Sequence, residues 1–204
     1  PISWAYLAMA GSQGLQQASA HAILGANYLA HELHDSFPIL YTGNAGLVAH
    51  ECILDLRELT DKSGVTAADV AKRLIDFGFH APTLAFPVAG TLMVEPTESE
   101  DQGELDRFIE AMRTIRAEIQ EIIDGKVAYE DSVIAHAPFT ALSVSSNDWA
   151  YGFSRDQAAW PVDTLRRGKY FAPVRRLDEA YGDRNLVCSC PPPEAFEMTN
   201  EKES

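Results

Sequence analysis

Apolar positions in the first sixth of the chain recur at helical spacing. Leu15, Ala18, Ala22, Ala26, Leu29 and Leu33 lie three or four residues apart, and Ile23 and Tyr28 widen that face. The pattern predicts a long helix from about Gly14 to His34, packed on more than one side. Ahead of it, Pro1 to Ala10 is apolar with Trp4 and Tyr6, which suits a short buried helix or an interface segment. Gly11-Ser12 breaks the two, with Ser12 as cap. After Pro38 the period changes. Ile39 to Thr42 reads as a short strand, Gly43 to Gly46 as a turn and Val48 to Arg57 as a second strand. Thr66 then caps a helix that buries Val70, Leu74 and Phe77 and stops at Gly78.

The middle of the chain is its densest stretch. Phe79, Leu84, Phe86 and Val88 predict a buried strand interrupted by Pro82 and Pro87. Gly90 allows a turn, and Thr91 to Glu95 forms a second strand ended by Pro96. His80, Thr83, Thr91 and Glu95 place polar groups inside this apolar layer, and a buried polar group needs a partner. They form either a pocket wall or a set of core groups bonded to backbone. A long helix follows, capped by Ser99, with acidic residues on its first turn and a stripe of Leu105, Phe108, Ile109, Met112, Ile115, Ile119, Ile122 and Ile123, ending at Gly125. The order strand, strand, helix, strand, strand, helix predicts an α+β fold with helices on a sheet. Residues 1–36 read as an N-terminal helical segment and 37–125 as an α+β small domain. Residues 126–197, rich in proline and weakly periodic apart from a short helix at Ala158–Trp160, read as an irregular wrapping segment, and 198–204 as a disordered tail.

Composition narrows the function. The 204 residues carry a formal net charge of −14, which excludes the basic footprint that nucleic acid requires. No apolar run is long enough to span a bilayer, and three cysteines without a spaced framework point to a reducing compartment. Metal signatures are weak: His31-Glu-Leu-His34 and His50-Glu51 lack the spacing that places two imidazoles on one helix face, and Cys188-Ser-Cys190 has no second pair. No metal site is expected. Cys52 reads as inert core. Cys188 and Cys190, near Arg184, are redox candidates or simple packing residues. Arg166, Arg167, Lys169, Arg175 and Arg176, interleaved with Tyr170 and Phe171, form a basic cluster in an acidic chain. It is either a docking rim for an acidic partner or a solvated or subunit-contact segment.

Several long motifs resemble one family. Phe77-Gly-Phe-His-Ala-Pro-Thr83 followed by Gly90-Thr-Leu-Met-Val-Glu-Pro-Thr-Glu-Ser-Glu100 is similar to the C-terminal region of glycine dehydrogenase (decarboxylating), the P-protein of the glycine cleavage system. So are Pro1 to Gly11, Leu15-Gln-Gln-Ala18, Pro38 to Gly43, Ala49 to Arg57, Asp69 to Asp76, Leu105-Asp-Arg-Phe-Ile-Glu110, Ala135-His-Ala-Pro138, Lys169-Tyr170, Pro173-Val174 and Tyr181 to Pro191. The resemblance covers nearly the whole chain up to about Glu197. It implies the small domain of the aminotransferase-like (fold type I) class, closing over a pyridoxal phosphate site, and it implies that this chain is part of a longer, paired enzyme. That enzyme decarboxylates glycine and passes the aminomethyl group to the lipoyl arm of a carrier, the H-protein. The resemblance makes His80, Thr83 and Thr91, with His50 beside them, the cofactor or substrate pocket candidates, and the docking rim of Lys169, Arg175 and Arg176 a site for the carrier.

The resemblance also implies that Met93 falls near the place where related aminotransferases often carry a carboxylate-binding arginine, and an apolar residue there would suit a decarboxylase. The family's His-Thr after the second His-Ala-Pro is here Phe139-Thr140, which weakens any catalytic role for that segment. None of Lys62, Lys72, Lys126, Lys169 and Lys202 has the His-Lys context of the family's Schiff-base lysine, so that lysine is expected outside this chain and the chain alone is expected to be inactive. The enzyme would lie in the cytoplasm of a bacterium or the mitochondrial matrix of a eukaryote. A stand-alone, non-catalytic α+β binding or regulatory module is the other reading.

Overall fold

The computed structural model describes residues 1–187. Cys188, Cys190 and the 198–204 tail lie outside the described residues. The fold is α+β: a four-stranded antiparallel sheet in the order β1 (Ile39–Leu40), β2 (Cys52–Asp55), β4 (Thr91–Val94), β3 (Thr83–Leu84), with helices packed on it. Cys52 and Leu54 on β2 stand opposite Val94 and Leu92 on β4, and these four side chains are buried. They join Leu29 and Leu33 of α1 (Ile2–Leu33), Val70 and Leu74 of α3 (Ala67–Asp76) and Met112, Ile115 and Ile119 of α4 (Gln102–Ile123) in one core. The C-terminal end of α1 therefore belongs to the same core as the sheet.

Three strand expectations change. The segment from Val48 is not strand until Cys52, because Asn27 on α1 captures the backbone of Val48. Its side-chain oxygen accepts the Val48 N–H at 3.0 Å and its amide donates to the Val48 carbonyl at 2.8 Å. At the other end, Arg57 starts a helix, α2 (Arg57–Ser63), in place of strand and loop. The expected buried strand from Phe79 to Val88 reduces to the exposed pair Thr83–Leu84 at the sheet edge. Ala85 takes a positive φ of 56°, which turns the chain out of the ladder; Phe86-Pro87 is a cis bond. Leu84 and Phe86 stay exposed, Phe86 by 58%.

Helix boundaries follow their caps. The predicted break at Gly11 is a kink, with φ 62° and ψ −179°, inside a helix that resumes beyond it. Thr66 forms a capping box with Asp69: its hydroxyl accepts the Asp69 N–H at 3.2 Å, while the Asp69 carboxylate accepts the Thr66 N–H at 2.8 Å. At α4 the cap is Asp101, which accepts from Glu104 N–H at 3.0 Å. Ser99 instead pairs with the Thr97 hydroxyl.

Residues 126–187 are more regular than the weak periodicity implied. Four short helices, α5 (Val133–His136), α6 (Ala141–Ser145), α7 (Arg155–Ala159) and α8 (Glu179–Arg184), are each capped by a side chain, from Ser132, Thr140, Ser154 and Asp178 respectively. Helices of four to six residues are too short to show a hydrophobic period, so caps and aromatic packing define them. Phe139 is fully buried among Trp149, Tyr151 and Phe153, with ring centroids 5.7–6.2 Å away. Phe139, with Val133, Ile134, Ala158 and Ala159, joins the same core as the sheet and the long helices, so the segment makes no core of its own but supplies buried residues to the common one.

An ionic cluster ties it down. Arg73 on α3 is wholly buried. Its Nε and Nη2 reach the Glu118 carboxylate on α4 at 3.0 and 2.7 Å, and Nη1 reaches Asp76 at 3.0 Å. It also donates to the carbonyls of Gln157 at 2.8 Å and Ala158 at 3.3 Å, while Asp76 accepts the Phe139 N–H at 2.8 Å. Every donor and acceptor of this buried group has a partner, as burial of charge requires. Burial pushes the Asp76 carboxyl up, against the opposing pull of Arg73.

Candidate functional site

The site begins at the end of α3. Phe77 is the last turn's cap, Gly78 follows with φ +82°, and the chain closes as a Schellman motif. Phe79 N–H donates to the Leu74 carbonyl at 3.1 Å and Gly78 N–H to the Ile75 carbonyl at 3.0 Å. A side chain at position 78 would have to adopt a left-handed conformation, which glycine takes without cost. The motif delivers His80 to a cavity of about 580 Å³ between the 78–83 segment, the edge of the sheet and α4. Thr83, Met93, Glu95, Glu104 and Arg107 also line it. Thr83 stands opposite Met93 across the β3–β4 ladder, so both side chains leave the sheet on the same side.

Of the sequence candidates, the structure brings His80 and Thr83 together on one cavity wall. His80 is exposed, contrary to the expected buried strand, because the strand does not form before Thr83. Thr91 does not line this cavity. It is fully buried and its hydroxyl donates to the Val88 carbonyl at 2.6 Å, so it closes the 85–91 turn. His50 also stands outside the lining, with Nε2 3.8 Å from Glu95, itself on the cavity rim. Met93 does line the cavity, half-buried.

The basic rim is not a free surface. Arg176 pairs with the buried Asp69 carboxylate and donates to the carbonyls of Ala137 at 3.0 Å and Ile134 at 3.1 Å. Arg175 donates to the Tyr151 hydroxyl at 2.9 Å and the His136 carbonyl at 3.0 Å, and lies over the Phe139 ring. Lys169 donates to the Ala159 carbonyl. The three cations expected to receive a carrier instead fasten the C-terminal segment to α3, α5 and α7. Docking needs cations facing solvent, and the partners of these three lie inside the fold.

Sequence reasoning passed over Arg107. Its Nε and Nη2 meet the Glu104 carboxylate at 2.9–3.3 Å, Nη1 donates to the Phe77 carbonyl at 2.9 Å, and Cζ sits 4.1 Å over the Phe79 ring. The available signal was its place in Leu105-Asp-Arg-Phe-Ile-Glu110, a stretch that carries the family resemblance and part of the apolar stripe but gives the arginine no role of its own. Cys52 is buried, and burial pushes its thiol up to about 12, so it stays protonated and unreactive.

Among the described residues no group of three or more His, Cys, Asp or Glu is arranged to hold a metal ion, and no helix is long and apolar enough to cross a membrane. Pyridoxal phosphate needs an amine for its aldehyde and a cationic or N–H-rich cradle for its phosphate. No lysine lines the cavity, Glu95, Glu100 and Glu104 do, and the one guanidinium, Arg107, is held by Glu104. Lys62, Lys72 and Lys126 pair with surface carboxylates elsewhere. The residues lining this cavity do not by themselves fit this cofactor.

One comparison bears on that wall. The family model for the glycine dehydrogenase C-terminal domain matches residues 18–139, from the middle of α1 through the sheet and α4 to Phe139, more than half of the chain. The matched region includes the whole cavity wall from Gly78 to Arg107. This chain belongs to the glycine dehydrogenase C-terminal domain family.

Proposed function

We propose that the chain is the C-terminal part of a glycine decarboxylase, the P-protein of the glycine cleavage system, and that its 78–83 segment walls the substrate site. The complete enzyme decarboxylates glycine and hands the aminomethyl group to the lipoyl arm of the H-protein. It does so with pyridoxal phosphate bound by a lysine outside the described residues, in a bacterial cytoplasm or a mitochondrial matrix. The small α+β unit corresponds to the closing domain of a fold type I enzyme, which works as a dimer. The observation that carries this reading is the exposure of the family's own motif. His80, Thr83, Leu84 and Phe86, buried strand residues by their pattern, face outward at a sheet edge. A polar pair beside exposed apolar side chains is what a wall completed by another surface looks like.

Within that wall the chain's own residues bind and orient. His80 can donate and accept hydrogen bonds. Thr83 offers a hydroxyl beside it. Met93 presents an apolar surface where a ground-state carboxylate gains no stabilisation, which favours its loss. The test is His80→Asn in the complete enzyme, reading glycine–carbon dioxide exchange with the carrier present alongside the melting temperature. We expect exchange to fall by about tenfold or more at near-normal stability. Unaltered exchange would remove His80 from the site, and a large loss of stability with proportionate loss of activity would make it a folding residue. A stand-alone binding module predicts no exchange under any combination.

A further inference from the structure

We propose that Arg107 is the positioning residue for His80, acting through the turn that ends α3; the inference rests on His80 serving the site. Two contacts reach that turn from one guanidinium, and a third anchors it on α4. Nη1 takes the Phe77 carbonyl, which the helix leaves without an intrahelical donor at its C-terminal end, where a cation is also favoured by the helix dipole. The planar face lies 4.1 Å from the Phe79 ring, and Phe79 packs edge-on against Phe108 at 5.4 Å and 87°. The remaining donors engage Glu104 one turn earlier on α4, which fixes the rotamer.

Arg107 also borders Gly78 at ordinary contact distance. A Cβ on Gly78 would meet Arg107 Nη1 at 3.8 Å, so the guanidinium sits directly against the left-handed residue that reverses the chain. His80 is the next residue but one, exposed and without a side-chain hydrogen-bond partner among the described residues. Its position in the cavity is set by the backbone that Arg107 grips. The ion pair with Glu104 alone does not explain the arrangement, since an exposed pair at that spacing needs neither the carbonyl nor the ring. Lysine in its place would keep the charge but lose the planar stack and the fork.

The test is a double-mutant cycle in the complete enzyme with Arg107→Lys, His80→Asn and both together. Glycine–carbon dioxide exchange, melting temperature and the rate at which diethylpyrocarbonate modifies His80 are followed, the last by peptide mass. Arg107→Lys should lower exchange about tenfold through kcat, with the melting temperature nearly unchanged and the His80 modification rate altered. The double variant should be no worse than His80→Asn alone. Losses that multiply in the double variant, or an unchanged modification rate, would overturn the positioning role while leaving His80 in the site. Normal exchange in His80→Asn alone would overturn both readings. If Arg107→Lys unfolds the protein, Phe79→Leu decides by the same criteria, because it removes the stack without touching the charge.

Discussion

At the residue scale the protein's cations divide by what they hold. Arg73, Arg175 and Arg176 grip carbonyls and carboxylates inside the fold, and only their type and clustering were visible in the sequence. A basic cluster in an acidic chain looks the same whether it faces solvent or folds back, because the partners are backbone carbonyls that carry no sequence signal. Arg176→Ala should therefore destabilise the protein by ~2–4 kcal/mol, since it removes the charge partner of the buried Asp69 carboxylate, which keeps its Thr66 bonds, and the donors to two carbonyls. Denaturant unfolding checks this, and a variant of unchanged stability but weakened carrier turnover would restore the docking role. Lys169 gives the pH test. Burial pulls its ammonium down from 10.5 to about 8. Between those values the unfolded chain binds a proton that the folded chain does not, so this group adds stability as pH rises through that window. Lys169→Met should flatten the rise in denaturation midpoint between about pH 8 and 10. An identical rise in the variant would contradict it.

At the element scale, periodicity located α3 and α4 well, because each is long and has one apolar stripe. It failed where tertiary partners override the local pattern, at Val48 captured by Asn27 and at the 79–88 edge. Helix α1 is a different case. No carboxylate or basic side chain other than histidine occurs before Glu32, and Trp4, Leu7, Met9 and Leu24 are exposed, Trp4 by 74% and Met9 by 88%. Large apolar side chains exposed along one helix are stable when another surface covers them. The chain alone should self-associate, and Trp4→Glu with Leu7→Glu should make it monomeric in sedimentation experiments. A monodisperse wild-type monomer would contradict this. The cap at α3 is a smaller lever: Thr66→Ala should cost about 1 kcal/mol of stability in the same unfolding assay.

At the scale of the whole molecule, the proposed role is that of a closing domain. One core joins α1, the sheet and α4; the C-terminal segment is strapped to it by buried ions; and two surfaces are left open, the first half of α1 and the edge that carries His80 and Thr83. Those surfaces agree with the proposal that a larger catalytic body supplies the lysine and covers the exposed face of α1. The most direct test is reconstitution. The lysine-bearing remainder of the enzyme is expressed with and without this chain, and glycine–carbon dioxide exchange is measured with pyridoxal phosphate and the carrier present. The account predicts exchange only when both parts are present and associated. Full exchange by the remainder alone, or a stable complex with no exchange, would contradict it.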